Sequence, residues 1–144
     1  MRVIVVNGPN MNLLGVREPD VYGSQTLADL EADIRAKAQE LGCEVVIFQT
    51  NHEGDLLEFL QREAPGSTGV VLNPASFTYQ SYALFDCLNA LSVPVIEVHI
   101  SNLYSRDETW RSRSLTAAAA RGVIMGLGFF GYLAAMEYLC DRDQ

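Results

Sequence analysis

The sequence predicts an α/β protein built around a single five-stranded parallel sheet. Five short runs, mostly apolar and rich in β-branched residues, alternate with segments whose apolar residues recur at helical spacing. Because these runs are apolar on both faces, we expect helices to cover both sides of the sheet. Right-handed crossovers then give a flavodoxin-like three-layer sandwich. The length of 144 residues predicts one domain over residues 1–144.

Each predicted element has its own boundary residues. Asn7-Gly8-Pro9 ends the first strand, and Asn73-Pro74 ends the third. Thr26 and Asp29 form a capping-box pattern at the start of the first helix, which Gly42 ends. The predicted strands cover residues 3–6, 44–49, 69–72, 94–98 and 122–125, and the predicted helices cover residues 26–41, the region around 56–60, 78–91 and 130–139.

The charge balance limits the partners of the chain. It has 10 basic and 18 acidic residues, a net charge of −8, which disfavours nucleic acids and anionic membranes. The only lysine, Lys37, lies in a predicted helix, which argues against Schiff-base chemistry and a phosphate-binding P-loop. Four arginines within 16 residues favour either a local anion site or surface ion pairs: Arg106, Arg111, Arg113 and Arg121.

The cysteines and the apolar runs indicate a compartment. The chain has three scattered cysteines, Cys43, Cys87 and Cys140. Together with the two histidines, His52 and His99, they match no spacing typical of a zinc site. Such thiols are typical of the reduced cytoplasm. No apolar run approaches the ~18 residues of a membrane-spanning helix, and the N-terminus lacks a cleavable signal pattern. We therefore expect a cytoplasmic protein.

Polar residues follow the predicted strands at the edge where open parallel sheets bind ligands. After the first strand, Asn10 offers neutral donors and acceptors. Gly15 and Gly23 then bracket a polar segment with Arg17 and Tyr22, which we interpret as a lid over a substrate.

The fourth predicted strand supplies a titratable pair. Glu97 and His99 are two residues apart on a strand, so both side chains point to the same face and the carboxylate can orient the imidazole. Ser101 and Asn102 follow, and their backbone N–H groups are candidates for binding a carboxylate.

The segment Gly126–Gly131 matches the GxGxxG fingerprint of dinucleotide-binding proteins. The fingerprint belongs to the first strand–helix turn and requires an acidic residue about 20 positions later, at the end of another strand. Only 13 residues follow Gly131. We therefore interpret these glycines as sites of close helix–sheet packing, with a nucleotide- or flavin-binding protein as the alternative.

Six segments carry a resemblance that covers essentially the whole chain. They are NGPNMNLLG, REPDVYG, QTNHEG, NPASFT, IEVHISN and GVIMGLG. In this order they resemble the type II 3-dehydroquinate dehydratases. The resemblance implies a flavodoxin-like fold, a homododecamer built as a tetramer of trimers, and no metal or cofactor. It also implies anti elimination of water from 3-dehydroquinate, through an enolate, to 3-dehydroshikimate in the shikimate or quinate pathway.

The resemblance implies roles for individual residues. Tyr22 matches the base that removes a proton from carbon, and Arg17 matches the residue that favours its phenolate. His99 matches the acid that protonates the leaving hydroxyl, with Glu97 as its orienting partner, and Asn10 matches the residue that positions a water at the enolate oxygen. The implied substrate contacts are Asn73, Tyr79, Ile100, Ser101 and Arg111, together with Asp86, which reaches a neighbouring subunit's site.

Two departures from the family pattern concern the substrate contacts. Tyr79 stands where the family usually has a histidine. Arg113-Ser114-Leu115 replaces a His-Ser-Tyr element and follows a one-residue insertion near Trp110, so Arg111 and Arg113 are rival substrate arginines. We favour Arg111 because its spacing from Ser114 is preserved. A paralogue with altered substrate preference or lost activity is therefore a further alternative.

Overall fold

Five parallel strands form one sheet in the order β2-β1-β3-β4-β5. The computed structural model describes residues 1–16 and 18–141, with only the backbone of Tyr22. The strands are β1 Arg2–Asn7, β2 Glu44–Gln49, β3 Gly69–Asn73, β4 Val95–His99 and β5 Gly122–Met125. The helices are α1 Pro19–Tyr22, α2 Leu27–Leu41, α3 Glu53–Glu63, α4 Tyr82–Ala90 and α5 Phe130–Cys140. The predicted parallel α/β fold is confirmed.

Helices cover the sheet on both faces. Successive side chains along β1 point to opposite faces of the sheet, as strand geometry requires. Val3 and Val5 pack with α2 and α5, whereas Ile4 and Val6 pack with α3 and α4. All four side chains are fully buried. The sheet and the helices on its two faces form three layers, with one apolar core on each side of the sheet. The carboxyl ends of all five strands lie at one edge. None of the helices within the described part of the chain is long and apolar enough to cross a membrane.

The ends of α2 follow from local sequence. The Thr26 hydroxyl accepts a hydrogen bond of 3.2 Å from the Asp29 N–H, and the Asp29 carboxylate accepts one of 2.9 Å from the Thr26 N–H. This reciprocal pair satisfies two N–H groups at the helix start, as the capping-box pattern predicts. Gly42 ends the helix with a φ of 68°, in the left-handed region.

The prediction of one helix over residues 78–91 is wrong. The segment is divided into a 3-10 turn over Ala75–Tyr79 and helix α4, which begins at Tyr82. The Ser81 hydroxyl caps α4 by accepting a hydrogen bond of 2.9 Å from the Leu84 N–H. The backbone carbonyl of Thr78 accepts instead from the N–H of Leu115, at 2.7 Å. The break keeps the end of the 3-10 turn beside the loop that follows β4.

The glycine-rich segment Gly126–Gly131 serves the packing of α5 on the sheet. A Cβ at Gly131 would lie 3.2 Å from Val98 and 3.3 Å from Ile124, closer than side chains normally approach. Gly126 has a φ of 87°, so it permits the turn between β5 and α5. The prediction of close helix–sheet packing is confirmed at Gly131.

Candidate active site

A cleft opens at the carboxyl ends of β1, β3 and β4. Asn10 follows β1, Asn73 ends β3 and His99 ends β4, so the parallel sheet brings the three side chains to one edge. The predicted site residues that line the cleft are Asn10, Asn73, Tyr79, His99, Ile100, Ser101 and Arg111. Residues more than 100 positions apart in the sequence therefore surround a single cleft.

Glu97 lies directly behind His99. Its Oε2 is 2.8 Å from Nε2 of His99, and both side chains project from the same face of β4. Glu97 is fully buried, whereas His99 keeps a small exposed surface at the cleft. The carboxylate therefore fixes the orientation of the imidazole, as the strand spacing predicts.

Three hydroxyl groups surround the buried carboxylate of Glu97. Thr116 donates a hydrogen bond to Oε1. Ser114 donates to Oε2 at 3.1 Å, and Thr78 lies 3.3 Å from the same oxygen. A buried carboxylate is costly unless hydrogen bonds compensate for the water it loses, and these groups provide that compensation. Nothing in the sequence pattern pointed to these three hydroxyls.

The amide of Asn73 is held by a buried tyrosine. Asn73 Nδ2 donates a hydrogen bond of 2.8 Å to the hydroxyl of Tyr132, which in turn donates one of 2.6 Å to Oδ1 of Asn7. The N–H of Ala75 donates to Oδ1 of Asn73 at 3.0 Å. Burial raises the pKa of Tyr132, so its hydroxyl remains a neutral donor. These bonds fix which edge of Asn73 faces the cleft.

The clustered arginines occupy different places. Arg111 lines the cleft with His99, whereas Arg113 lines a second cavity with Glu97. Arg106, one of the clustered arginines for which the sequence favours either a local anion site or surface ion pairs, also lines the cleft. Its guanidinium lies 3.3 Å from the hydroxyl of Ser101 and 3.4 Å from a carboxylate oxygen of Glu18. Two arginines thus make one side of the cleft suited to an anion. The clustering along the chain was the only sequence feature that pointed to Arg106.

Among the predicted site residues whose side chains the structure describes, Asp86 and the buried Glu97 are not part of the cleft wall. Asp86 is exposed on α4 and is absent from the cleft wall of its own chain. Arg17 and the side chain of Tyr22 lie outside the described residues. The backbone on either side of Tyr22, at Val21 and Gly23, lines an opening that Ser101 and Arg106 also line. The segment that carries Tyr22 therefore lies next to the cleft.

The comparisons with known proteins all point to the same protein family. The family model for dehydroquinase class II matches residues 1–140. The chain is 51% identical over 142 residues to a 3-dehydroquinate dehydratase of Bacillus licheniformis, covering 99% of this chain and 97% of that protein. It is 53% identical over 140 residues to one of Deinococcus radiodurans, covering 96% and 97%. A type II dehydroquinase structure from Butyrivibrio crossotus superimposes with a TM-score of 0.95 at 38% identity, covering 98% of each chain.

Proposed function

Because the chain belongs to the class II dehydroquinase family, we propose that it removes water from 3-dehydroquinate to give 3-dehydroshikimate. The observation that carries this proposal is the contact between the imidazole of His99 and the buried carboxylate of Glu97, at the wall of a cleft that also holds amides and arginines. Such a cleft can bind a polar, anionic ring and exchange a proton with it.

The first step requires a base, because a C–H bond next to a ketone must break. Tyr22 takes this role in the proposal. A free phenol has a pKa of about 10, so only about one molecule in a thousand is ionised at neutral pH. A guanidinium beside it lowers that pKa by roughly 1–3 units, which is the role of Arg17. The position of the neighbouring backbone beside Ser101 supports a place for Tyr22 at the cleft.

The second step requires an acid for the departing hydroxyl group, which is the role of His99. Since Nε2 contacts Glu97, that nitrogen carries a proton and Nδ1 is the nitrogen that exchanges a proton with the substrate. The hydrogen bonds from Thr116 and Ser114 compensate the carboxylate of Glu97 for the water that it loses on burial.

Neutral and cationic groups bind the remaining parts of the substrate. In the proposal, Asn10 positions a water at the enolate oxygen, and Ile100 and Ser101 bind the carboxylate. Asn73 and Arg111 contact the ring hydroxyls. The fixed amide of Asn73 and the place of Arg111 in the cleft wall support these roles. Tyr79, on the same wall, offers a hydroxyl in the place of the family's usual histidine.

The proposal extends to assembly and cellular place. Asp86 lies exposed on α4 and outside its own cleft, which fits a residue that completes the site of a neighbouring subunit. A homododecamer built from trimers then follows from the family resemblance. Free cysteines at 43, 87 and 140 fit a cytoplasmic enzyme. We place the enzyme in the shikimate pathway, and quinate breakdown is the second pathway that the family resemblance implies.

Ultraviolet absorbance tests the reaction directly. The product is a conjugated enone and the substrate is not, so absorbance should rise when the protein meets 3-dehydroquinate, with a chelator present throughout. His99→Ala should abolish most of this rise. His52→Ala, which changes the only other histidine, exposed at the start of α3, should leave it intact. A wild-type protein that gives no enone would instead support a paralogue that has lost this activity.

A further inference from the structure

The guanidinium of Arg111 lies against a pair of aromatic rings. The Cζ atom of Arg111 lies 4.3 Å from the centroid of the Trp110 ring and 6.0 Å from that of Tyr79. The two rings meet edge to face, with centroids 4.9 Å apart and an angle of 87° between their planes. A cation over an aromatic face is attracted by the electron density of the ring. Arg111 therefore has favourable contacts with two rings that also stabilise each other.

The carboxylate of Glu108 forms an ion pair with the same guanidinium. Oε2 of Glu108 lies 3.2 Å from Nε of Arg111, three residues further along the chain. A backbone hydrogen bond, followed by the contact with Arg111, lowers the pKa of Glu108, so the carboxylate stays charged at neutral pH. Nε of Arg111 is buried at this ion pair, so the terminal nitrogens are the donors available to an anion or a hydroxyl.

Trp110 lies on the solvent side of this arrangement. Trp110 as a whole residue is 49% exposed, whereas the side chain of Arg111 is only 13% exposed. Tyr79 and Arg111 line the cleft, but Trp110 is not among the residues of its wall. An effect of Trp110 on the substrate must therefore pass through the wall residues that it contacts, Arg111 and Tyr79.

We propose that Trp110 is a positioning residue that, with Tyr79, holds Arg111 in the orientation that binds substrate. This inference rests on the proposed function, in which Arg111 contacts the substrate. A free arginine side chain loses much rotational freedom when it binds, and contact with the two rings removes part of that freedom before the substrate arrives. The benefit therefore falls on substrate binding rather than on the elimination itself.

Fluorescence tests the contact without reference to activity. Trp110 is the only tryptophan of the chain, so all tryptophan emission comes from this ring. Arg111→Ala should change the intensity and wavelength of that emission, since it removes the cation from the ring face. Arg113→Ala is the matched control, because Arg113 lines the other cavity, and its emission should equal that of the wild type. Identical spectra for all three proteins would overturn the contact.

Kinetics test the positioning role. Trp110→Ala should raise the KM for 3-dehydroquinate about three- to tenfold and leave kcat within about twofold, given the usual strength of such contacts. Trp110→Phe should restore most of the wild-type KM because it keeps an aromatic face.

The double variant Trp110→Ala/Arg111→Ala separates this role from a general structural one. If Trp110 acts through Arg111, the double variant should have the KM of Arg111→Ala alone. Independent, multiplying effects on KM would contradict the proposal. A wild-type protein that forms no enone would refute the proposed function, and the emission spectra would still decide whether Arg111 and Trp110 are in contact.

Discussion

The side chains of Arg111 and Arg113, two residues apart, line two different cavities. Arg111 shares the cleft with His99, whereas Arg113 is exposed and shares the second cavity with Tyr104 and Val123. The 3-10 turn over Thr109–Ser112 ends just before Arg113, so the backbone changes direction between the two arginines. This separation allows the two candidate substrate arginines to be distinguished by experiment.

Arg111→Ala should raise the KM for 3-dehydroquinate about 10- to 100-fold, since hydrogen bonds to charged groups contribute about 1.5–3 kcal/mol. Arg113→Ala should leave KM within about twofold, because its side chain lies outside the cleft. Steady-state kinetics of the two purified variants make the comparison. The opposite ranking would assign the substrate contact to Arg113.

The hydroxyl groups around Glu97 should affect turnover. Thr116→Val removes the donor to Oε1 of a fully buried carboxylate while keeping the shape of the side chain. We expect a loss of stability of about 1–3 kcal/mol, because a buried charged acceptor loses a partner. We also expect kcat to fall about tenfold, which corresponds to about 1.4 kcal/mol in the barrier, since a less well held carboxylate orients His99 less well.

Thr116→Ser is the matched control for this prediction, because it keeps the donor and loses only a methyl group. Its kcat should stay near the wild-type value. Denaturant unfolding and initial rates of both variants measure the two effects. If Thr116→Val loses stability but keeps its kcat, the hydroxyl supports the fold alone and has no part in orienting the imidazole.

The sequence predicts the parts of the structure that short-range patterns determine. Thr26, Asp29 and Gly42 define both ends of α2, and each of their contacts spans three or four residues. The shared face of Glu97 and His99 follows from the two-residue period of a strand. These features require no knowledge of the rest of the chain.

The features that the sequence did not predict depend on contacts between distant segments. The helix expected over residues 78–91 is interrupted where the carbonyl of Thr78 meets the N–H of Leu115. The hydroxyls of Ser114 and Thr116 reach Glu97 only when the loop after β4 folds back over the sheet. Serine and threonine are common in loops, so their presence in the sequence did not indicate this contact.

The buried phenol of Tyr132 should make stability depend on alkaline pH. Burial raises its pKa above the value of about 10 that it has in the unfolded chain. The neutral hydroxyl of Tyr132 therefore makes its full contribution to the free energy of unfolding below about pH 10. Above that pH the contribution declines, because the unfolded chain can lose the proton whereas the folded protein retains it. The expected slope is about 1.4 kcal/mol per pH unit.

Urea unfolding of the wild type and Tyr132→Phe between about pH 9 and pH 11 measures this slope. The variant should be less stable at pH 9, since it loses the hydrogen bonds to Asn7 and Asn73. The difference between the two proteins should then shrink as the pH rises. Tyr82→Phe, at a residue that is 71% exposed, should follow the wild type. A constant difference between wild type and Tyr132→Phe would contradict the prediction.

The proposed sharing of sites between subunits predicts that inactive variants restore activity to each other. Asp86→Ala should impair the site of a neighbouring chain, whereas Tyr22→Phe impairs the site of its own chain. After the two variants are dissociated, mixed in equal amounts and reassembled, about one quarter of the sites should hold both intact residues and turn over substrate. Initial rates of enone formation measure this recovery.

A second mixture controls for effects of reassembly. Tyr22→Phe and His99→Ala both impair the site of their own chain, so no mixed site should contain both intact side chains and the mixture should stay inactive. Recovery in the first mixture alone would place Asp86 at the boundary between two chains. If Asp86→Ala is fully active by itself, its exposed carboxylate on α4 has no part in any site, and the proposed shared site must be abandoned.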